Sequence, residues 1–209
     1  MKRTSENHPW EMIYSRDGHV FSELLPGFFE SVKKFNAHQC NRILDLGCGN
    51  GRHAVGFGKL GFEIIGYDIS PSGLALTQSW LQDEDLPSQL VQGDYRLGLP
   101  FADNSFQAIF STQVIHHALL KEIRFSIREI WRVLQDNGLG FITVAGRTHS
   151  NTDYDEIEPG TFVPLEGSEK GLPHHIFSED EIRFEFGIFQ IHEISPRDNG
   201  RVTAIWIKK

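Results

Sequence analysis

The chain has 209 residues, 39% hydrophobic and 23% charged, with a formal net charge of −8. That length and balance suit one folded domain with a sizeable core and exclude a low-complexity or disordered chain. Scattered basic residues under an acidic excess argue against a nucleic-acid partner, and no apolar run reaches membrane-spanning length. The start Met1-Lys2-Arg3 leads into polar residues rather than a signal-peptide core, and the two cysteines, Cys40 and Cys48, give no disulfide framework. A cytoplasmic location is therefore expected.

In chain order, residues 1–38 carry Trp10, Tyr14, Phe21, Phe28, Phe29 and Phe35 and are expected to form helices over one mouth of the core. Short apolar strands are expected at 42–46, 62–67, 89–92, 106–111 and 140–145, with helices between them. The clearest helix is 119–134. There Leu119, Leu120, Ile123, Ile127, Ile130, Trp131 and Leu134 share one face, and Asn137-Gly138 supplies the stop. Such alternation implies a parallel sheet with helices on both faces. Segment 146–177 is long and punctuated by Gly and Pro, which predicts a lid or binding loop. Ser178 and Glu181 have capping-box spacing. Strands at 187–194 and 202–207, joined by a turn at 196–200, predict a terminal hairpin. The whole is one domain, 1–209, with a core at 42–145 flanked by the segments 1–38, 146–177 and 178–209.

The chemistry concentrates where Arg42-Ile43-Leu44-Asp45-Leu46 runs into Gly47-Cys48-Gly49-Asn50-Gly51. Alternate glycines let the backbone turn tightly and approach a ligand with no side chain between. The following helix points its free amides and positive end at that loop. Asp68 closes the second strand, where a carboxylate can accept from both hydroxyls of a ribose. Together these residues point to a nucleoside-bearing cofactor. Dinucleotide loops place glycine first, third and sixth, whereas here Gly51 is fifth and Arg52 sixth. Gly56-Phe57-Gly58-Lys59-Leu60-Gly61 does have that spacing, but it lies within the helix and follows no strand. It is assigned to close helix–sheet packing with Gly61 as the stop, which sets an oxidoreductase reading aside.

The G-x-G-x-G turn preceded by Leu44-Asp45 resembles motif I of class I S-adenosylmethionine-dependent methyltransferases. Val91-Gln92-Gly93-Asp94-Tyr95, Leu99-Pro100-Phe101 through Ile109, and Arg128 through Leu139 resemble further segments of the methyltransferase type 11 family. Gln107 stands where an acidic residue is usual, and Asn137 where proline is common. The resemblance implies a Rossmann-like α/β fold, a mostly parallel seven-stranded sheet with a C-terminal antiparallel hairpin, and S-adenosyl-L-methionine as cofactor. It places Gly47, Cys48, Gly49, Asn50 and Gly51 along the methionine moiety, with Asp45 organising the loop. Asp68 and Ile69 fall at the ribose, Gly93, Asp94 and Tyr95 around the adenine, and Ser111 and Tyr14 complete the set. Ser70 also caps the helix that Pro71 opens.

Methyl transfer needs in-line alignment and exclusion of water; a hydroxyl or ammonium acceptor also needs a base. His116 and His117 follow the end of the fourth strand, close to Gln113, and are the first candidates for that base. His174 and His175, in a Pro-His-His-x-Phe-Ser stretch found in a subset of the family, are the second. Packing or capping explains the first pair equally simply. Adjacent histidines diverge, and neither H-x-x-x-H nor C-x-x-C occurs, so no metal ligands are assigned. Arg52, Arg147 and His149 offer positive potential for an anionic substrate or the cofactor carboxylate. Trp10, Tyr14, Phe162 and Phe177 suggest an enclosed, partly apolar acceptor pocket. The expected partner is a small-molecule methyl acceptor, without nucleic acid or membrane, and the oligomeric state is open. The alternatives are a regulatory cofactor-binding protein of the same fold and a methyltransferase acting on RNA or protein.

Overall fold

The computed structural model describes residues 8–147 and 153–209. Helix α1 (Pro9–Asp17) starts on a His8 cap with proline in its first turn, and α2 (Phe28–Ala37) follows. The alternating core then runs β1 (Arg42–Leu46), α3 (Arg52–Lys59), β2 (Glu63–Asp68), α4 (Pro71–Asp83), β3 (Leu90–Gln92), β4 (Phe106–Thr112), α5 (Leu120–Val133) and β5 (Leu134–Ala145). Beyond it lie β6 (Tyr154–Glu158), β7 (Thr161–Pro164), β8 (His174–His175), α6 (Glu179–Glu185), β9 (Gln190–Arg197) and β10 (Val202–Lys208). The main sheet has the order β3-β2-β1-β4-β5-β10-β9, with β10 antiparallel to both its neighbours and every other pairing parallel. Strands β6, β7 and β8 form a separate antiparallel sheet.

Alternation along each strand sorts the core onto two faces. Ile43 points toward Phe28, Phe35, Phe57 and Phe110. Leu44 and Leu46 point the other way, toward Ile123, Ile127 and Ile130 of α5. The chain reverses its winding between β1 and β4, and a crevice opens there beyond the strands' carboxyl ends, where open α/β sheets bind ligands.

Several local expectations change. Helix α5 ends at Val133, and Leu134 already has extended backbone, so the chain enters β5 before Asn137-Gly138. Asn137 instead takes a left-handed turn (φ 64°) and donates its amide to the Lys209 carbonyl. Trp131 leaves the buried face, 41% exposed under the Lys209 ammonium. The capping box is half made: Ser178 Oγ accepts from the Glu181 amide, but the Glu181 carboxylate turns to His175. Gly56 packs helix to helix rather than helix to sheet, since a Cβ there would lie 2.8 Å from the Phe28 ring. Of the two N-terminal helices it is α1 that covers the crevice, joined by Phe21 and Leu25 of the following segment; Phe28 and Phe35 of α2 belong to the core behind the sheet, and Phe29 is exposed.

Candidate active site

The glycine turn folds back across β2. The amides of Gly47 and Cys48 both donate to the Tyr67 carbonyl, at 2.7 and 3.2 Å. Gly47 and Gly49 are left-handed, at φ 77° and 56°, and a Cβ on either would collide, with Val114 and with the Tyr14 hydroxyl respectively. Asp68 is buried against the turn; its Oδ2 accepts from the Gly49 amide at 2.8 Å and its Oδ1 from the Ser70 amide at 2.9 Å. Burial raises its pKa against the opposing pull of those amides. A carboxylate has about four lone-pair sites, so two remain for hydroxyl donors. Ser70 Oγ also caps α4 at Gly73, so the capping role and a cavity-facing Asp68 carboxylate coexist.

Helix α1 lies across this turn and is latched to α4. The Glu11 carboxylate accepts from Ser70 Oγ (2.5 Å), Ser72 N (3.0 Å) and Ser72 Oγ (2.6 Å). Burial alone would raise the Glu11 pKa, but the three donors hold it below its ordinary value. Trp10 and Tyr14 thereby become the roof of a cavity of about 340 Å³. That volume falls within the usual roughly 300–1,000 Å³ of a small-molecule site. Cys48, Asn50, Arg52, Asp68, Ile69 and Gly93 are on its wall, together with Asp94, Tyr95 and Arg147.

Asp45, Gly51 and Ser111 are not on that wall. Asp45 is buried under the turn; burial first, then the Asp68 charge, push its pKa up to about 7. Its Oδ2 has no hydrogen-bond partner among the described residues. Gly51 begins α3 against Thr77, and Ser111 Oγ donates to the Leu46 carbonyl at 3.0 Å, bridging β4 to β1. Asp94 faces the cavity, but Arg96 grips it with two bonds of 2.8 and 2.7 Å; burial would raise its pKa, and the guanidinium holds it low instead. Phe162 and Phe177 miss the cavity, Phe177 packing in the core. His149 lies outside the described residues.

The far end of the cavity is made of histidines. His116 and His117 sit in the turn after β4, where the His117 amide donates to the Val114 carbonyl. Backbone bonds from His175 N to His116 O (2.8 Å) and from Phe177 N to Ala145 O (3.1 Å) dock β8 beside that turn. This docking brings His174 to within 4.7 Å of His117 and 5.9 Å of His116, ring centre to ring centre. All three are buried. The Trp10 indole donates to His117 Nδ1 at 3.4 Å, while His116 Nδ1 has no hydrogen-bond partner among the described residues. Burial first, then the neighbouring histidines, drive the pKa values of His116 and His117 far below the usual range, so both rings are neutral. His175 points away; Thr161 Oγ1 (2.7 Å) and Glu181 (2.9 Å) hold its two nitrogens in a structural bridge. Sequence reasoning missed Tyr154 and Glu169, which also line this end. Neither stands in a recognisable pattern, because only the docking of the small sheet brings them there.

The methyltransferase-domain family matches residues 44–142, the span from the glycine turn into β5. That stretch carries a class I methyltransferase domain. An uncharacterized methyltransferase of Bacillus subtilis, YcgJ, is 32% identical over 107 residues, covering 51% of this chain and 42% of its own. A ubiquinone biosynthesis O-methyltransferase of Azorhizobium caulinodans is 25% identical over 137 residues, covering 64% and 51%. The chain spans about half the length of the curated relatives it matches. The crystal structure of the PH0226 protein from Pyrococcus horikoshii superposes with a TM-score of 0.73, covering 94% of this chain and 98% of that one at 16% identity, a likeness of fold.

The cofactor of this methyltransferase domain is S-adenosylmethionine. The residues present suit it: Asp68 keeps acceptor capacity toward the cavity, and Arg52 stands on the same wall, donating among the described residues to the Glu23 carbonyl. Two of the family-like segments outside the turn, 99–109 and 128–139, hold the fold together. Arg132 donates to the carbonyls of Leu99 and Phe101 and pairs with Glu129 and Asp103, clasping the 99–103 loop to α5. Gln107 fills its altered position by accepting from the amides of Asn41 and Arg42, at 2.9 and 3.0 Å.

Proposed function

We propose that the chain transfers a methyl group from S-adenosylmethionine to a small-molecule acceptor held between the glycine turn and the histidine cluster. The observation that carries this reading is continuity: one cavity runs from Asp68 and Gly49 to His116, His117 and His174. Its walls include the aromatic rings of Trp10, Tyr14, Tyr67 and Tyr154. Such walls stack flat organic molecules and exclude water. The acidic net charge and the roof of α1 favour a small acceptor over a nucleic acid.

Bound cofactor supplies an electrophilic methyl on a good, neutral leaving group. This chain's residues then have three tasks. Asp68 accepts from the ribose hydroxyls and Arg52 faces the methionine carboxylate, which together fix the methyl's direction. Trp10 and Tyr14, held by the Glu11 latch, keep water out. For an acceptor that must shed a proton, His116 and His117 stand at the acceptor end in the neutral form able to accept, with a basicity that burial reduces.

Calorimetric titration with S-adenosylhomocysteine, NAD and NADP tests the reading. Saturable binding of the adenosyl compound alone is expected, lost by at least about 100-fold in Asp68→Ala, which removes two charge-assisted hydrogen bonds. Binding of NAD or NADP instead refutes the reading. A screen of phenols, thiols and amines for S-adenosylhomocysteine release then finds the acceptor class.

A further inference from the structure

The sequence sets metal aside because neighbouring histidines on a regular element diverge. His116 and His117, however, lie on a turn rather than a helix or strand, and their ring centres are 4.0 Å apart. His174 completes a triangle. Each of the three offers one ring nitrogen, and these nitrogens all lie within 4.8 Å of one another. The triangle is buried on the protein side and faces the cavity on the other. A Glu169 carboxylate oxygen lies 3.6 Å from His174 Nε2, the outer-shell carboxylate that commonly orients a ligating imidazole.

We propose that His116, His117 and His174 form a binding site for one divalent transition-metal ion of the zinc type, open toward the acceptor end of the cavity. Three imidazoles with a vacant fourth position are the donor set of a reactive rather than a structural zinc site. Zinc–nitrogen bonds of about 2.0–2.1 Å put tetrahedral ligand atoms about 3.3 Å apart. The nitrogens must therefore close by up to about 1.5 Å, a movement within reach of side-chain rotation at a turn. His117 enters the site by giving up the 3.4 Å bond from Trp10, so the indole senses occupancy.

The consequence for chemistry rests on the proposed methyl transfer. A hydroxyl or thiol of the acceptor becomes the fourth ligand and releases its proton to solvent; the resulting oxygen or sulfur lone pair forms the bond to the methyl carbon as the carbon–sulfonium bond breaks. The metal then takes over the part of a histidine base, and phenols, enols and thiols are the favoured acceptors over amines.

The test is titration of the metal-stripped full chain with cobalt(II), whose visible absorption reports coordination number. One equivalent should bind with the intense bands of a four-coordinate site, be displaced by zinc, and quench tryptophan fluorescence in wild type far more than in Trp10→Phe. His116→Ala and His174→Ala should each weaken binding by about 100-fold, while the exposed His192→Ala retains it. His174→Gln, closer in size, serves if the alanine variant misfolds. Absence of one-equivalent binding, or binding indifferent to His116 and His174, overturns the site. Titration of the same metal-free protein with S-adenosylhomocysteine separates the two readings. Nucleotide binding without cobalt binding removes only the metal, and cobalt binding without nucleotide binding leaves the site but removes its role in methyl transfer.

Discussion

Mild acid should lower the stability of the fold through a single residue, His53. Its ring is buried between Phe28 and Phe110, and its Nε2 accepts the Leu25 amide at 3.3 Å, which puts the ring's proton on Nδ1. A second proton would have to sit on Nε2, pointing at an N–H. Burial, then the adjacent Arg52 charge, push the pKa down to about 3, against about 6.5 in an unfolded chain. A depressed value stabilises the fold fully above the unfolded pKa, and that stabilisation is lost as pH falls toward the folded one. Between pH 7.5 and 5.0 the loss is governed by the unfolded value and comes to about 2 kcal/mol. Urea unfolding at both pH values, for wild type and His53→Gln, measures it. The glutamine keeps an acceptor for Leu25 but does not titrate, so its loss should be smaller by about 2 kcal/mol. Equal losses in the two proteins would refute the reasoning.

Two other expectations concern smaller parts. Arg52→Gln should weaken S-adenosylhomocysteine by about 10- to 100-fold and leave 5′-methylthioadenosine, which lacks the amino-acid carboxylate, unchanged; equal losses in calorimetry would remove Arg52 from that role. Asn137→Pro installs the residue common in the family segment that 128–139 resembles, yet the ring cannot reach φ 64° and deletes the amide bonded to Lys209. It should cost about 3 kcal/mol or more, lowering the melting temperature by roughly 6–12 °C; an unchanged melting temperature would contradict the turn geometry.

The sheet and the glycine turn were legible because their signals are local. Buried parallel strands are continuous apolar runs, and a left-handed turn wants glycine where a Cβ would collide, as at Gly47 and Gly49. Asp68 reads in the sequence as a carboxylate at a strand end and lines the cavity, whereas a serine at a strand end such as Ser111 reads the same whether it faces a cavity or, as here, bonds across to Leu46. The histidines divide for the same reason. Nothing in Pro173-His174-His175 says which ring turns toward β4 and which toward Glu181, because the choice is made by the register of a two-residue strand with Thr161 and Phe162. The helix stop was misplaced for want of a local marker, since the chain leaves α5 by extending at Leu134, with no glycine or proline there.

The small sheet has a further property. What fixes β8 in place is the His175 ring bridge together with main chain: His175 N to His116 O, Ile176 N to Gly160 O and Phe177 N to Ala145 O. Those bonds are indifferent to the side chain at position 174. The scaffold thus works as a socket that presents whatever residue occupies that position to the cavity at a fixed height, while the grip on the cofactor resides in an unconnected stretch of chain. Acceptor preference can therefore drift, or be redesigned, one residue at a time without disturbing the part of the molecule that is hardest to rebuild.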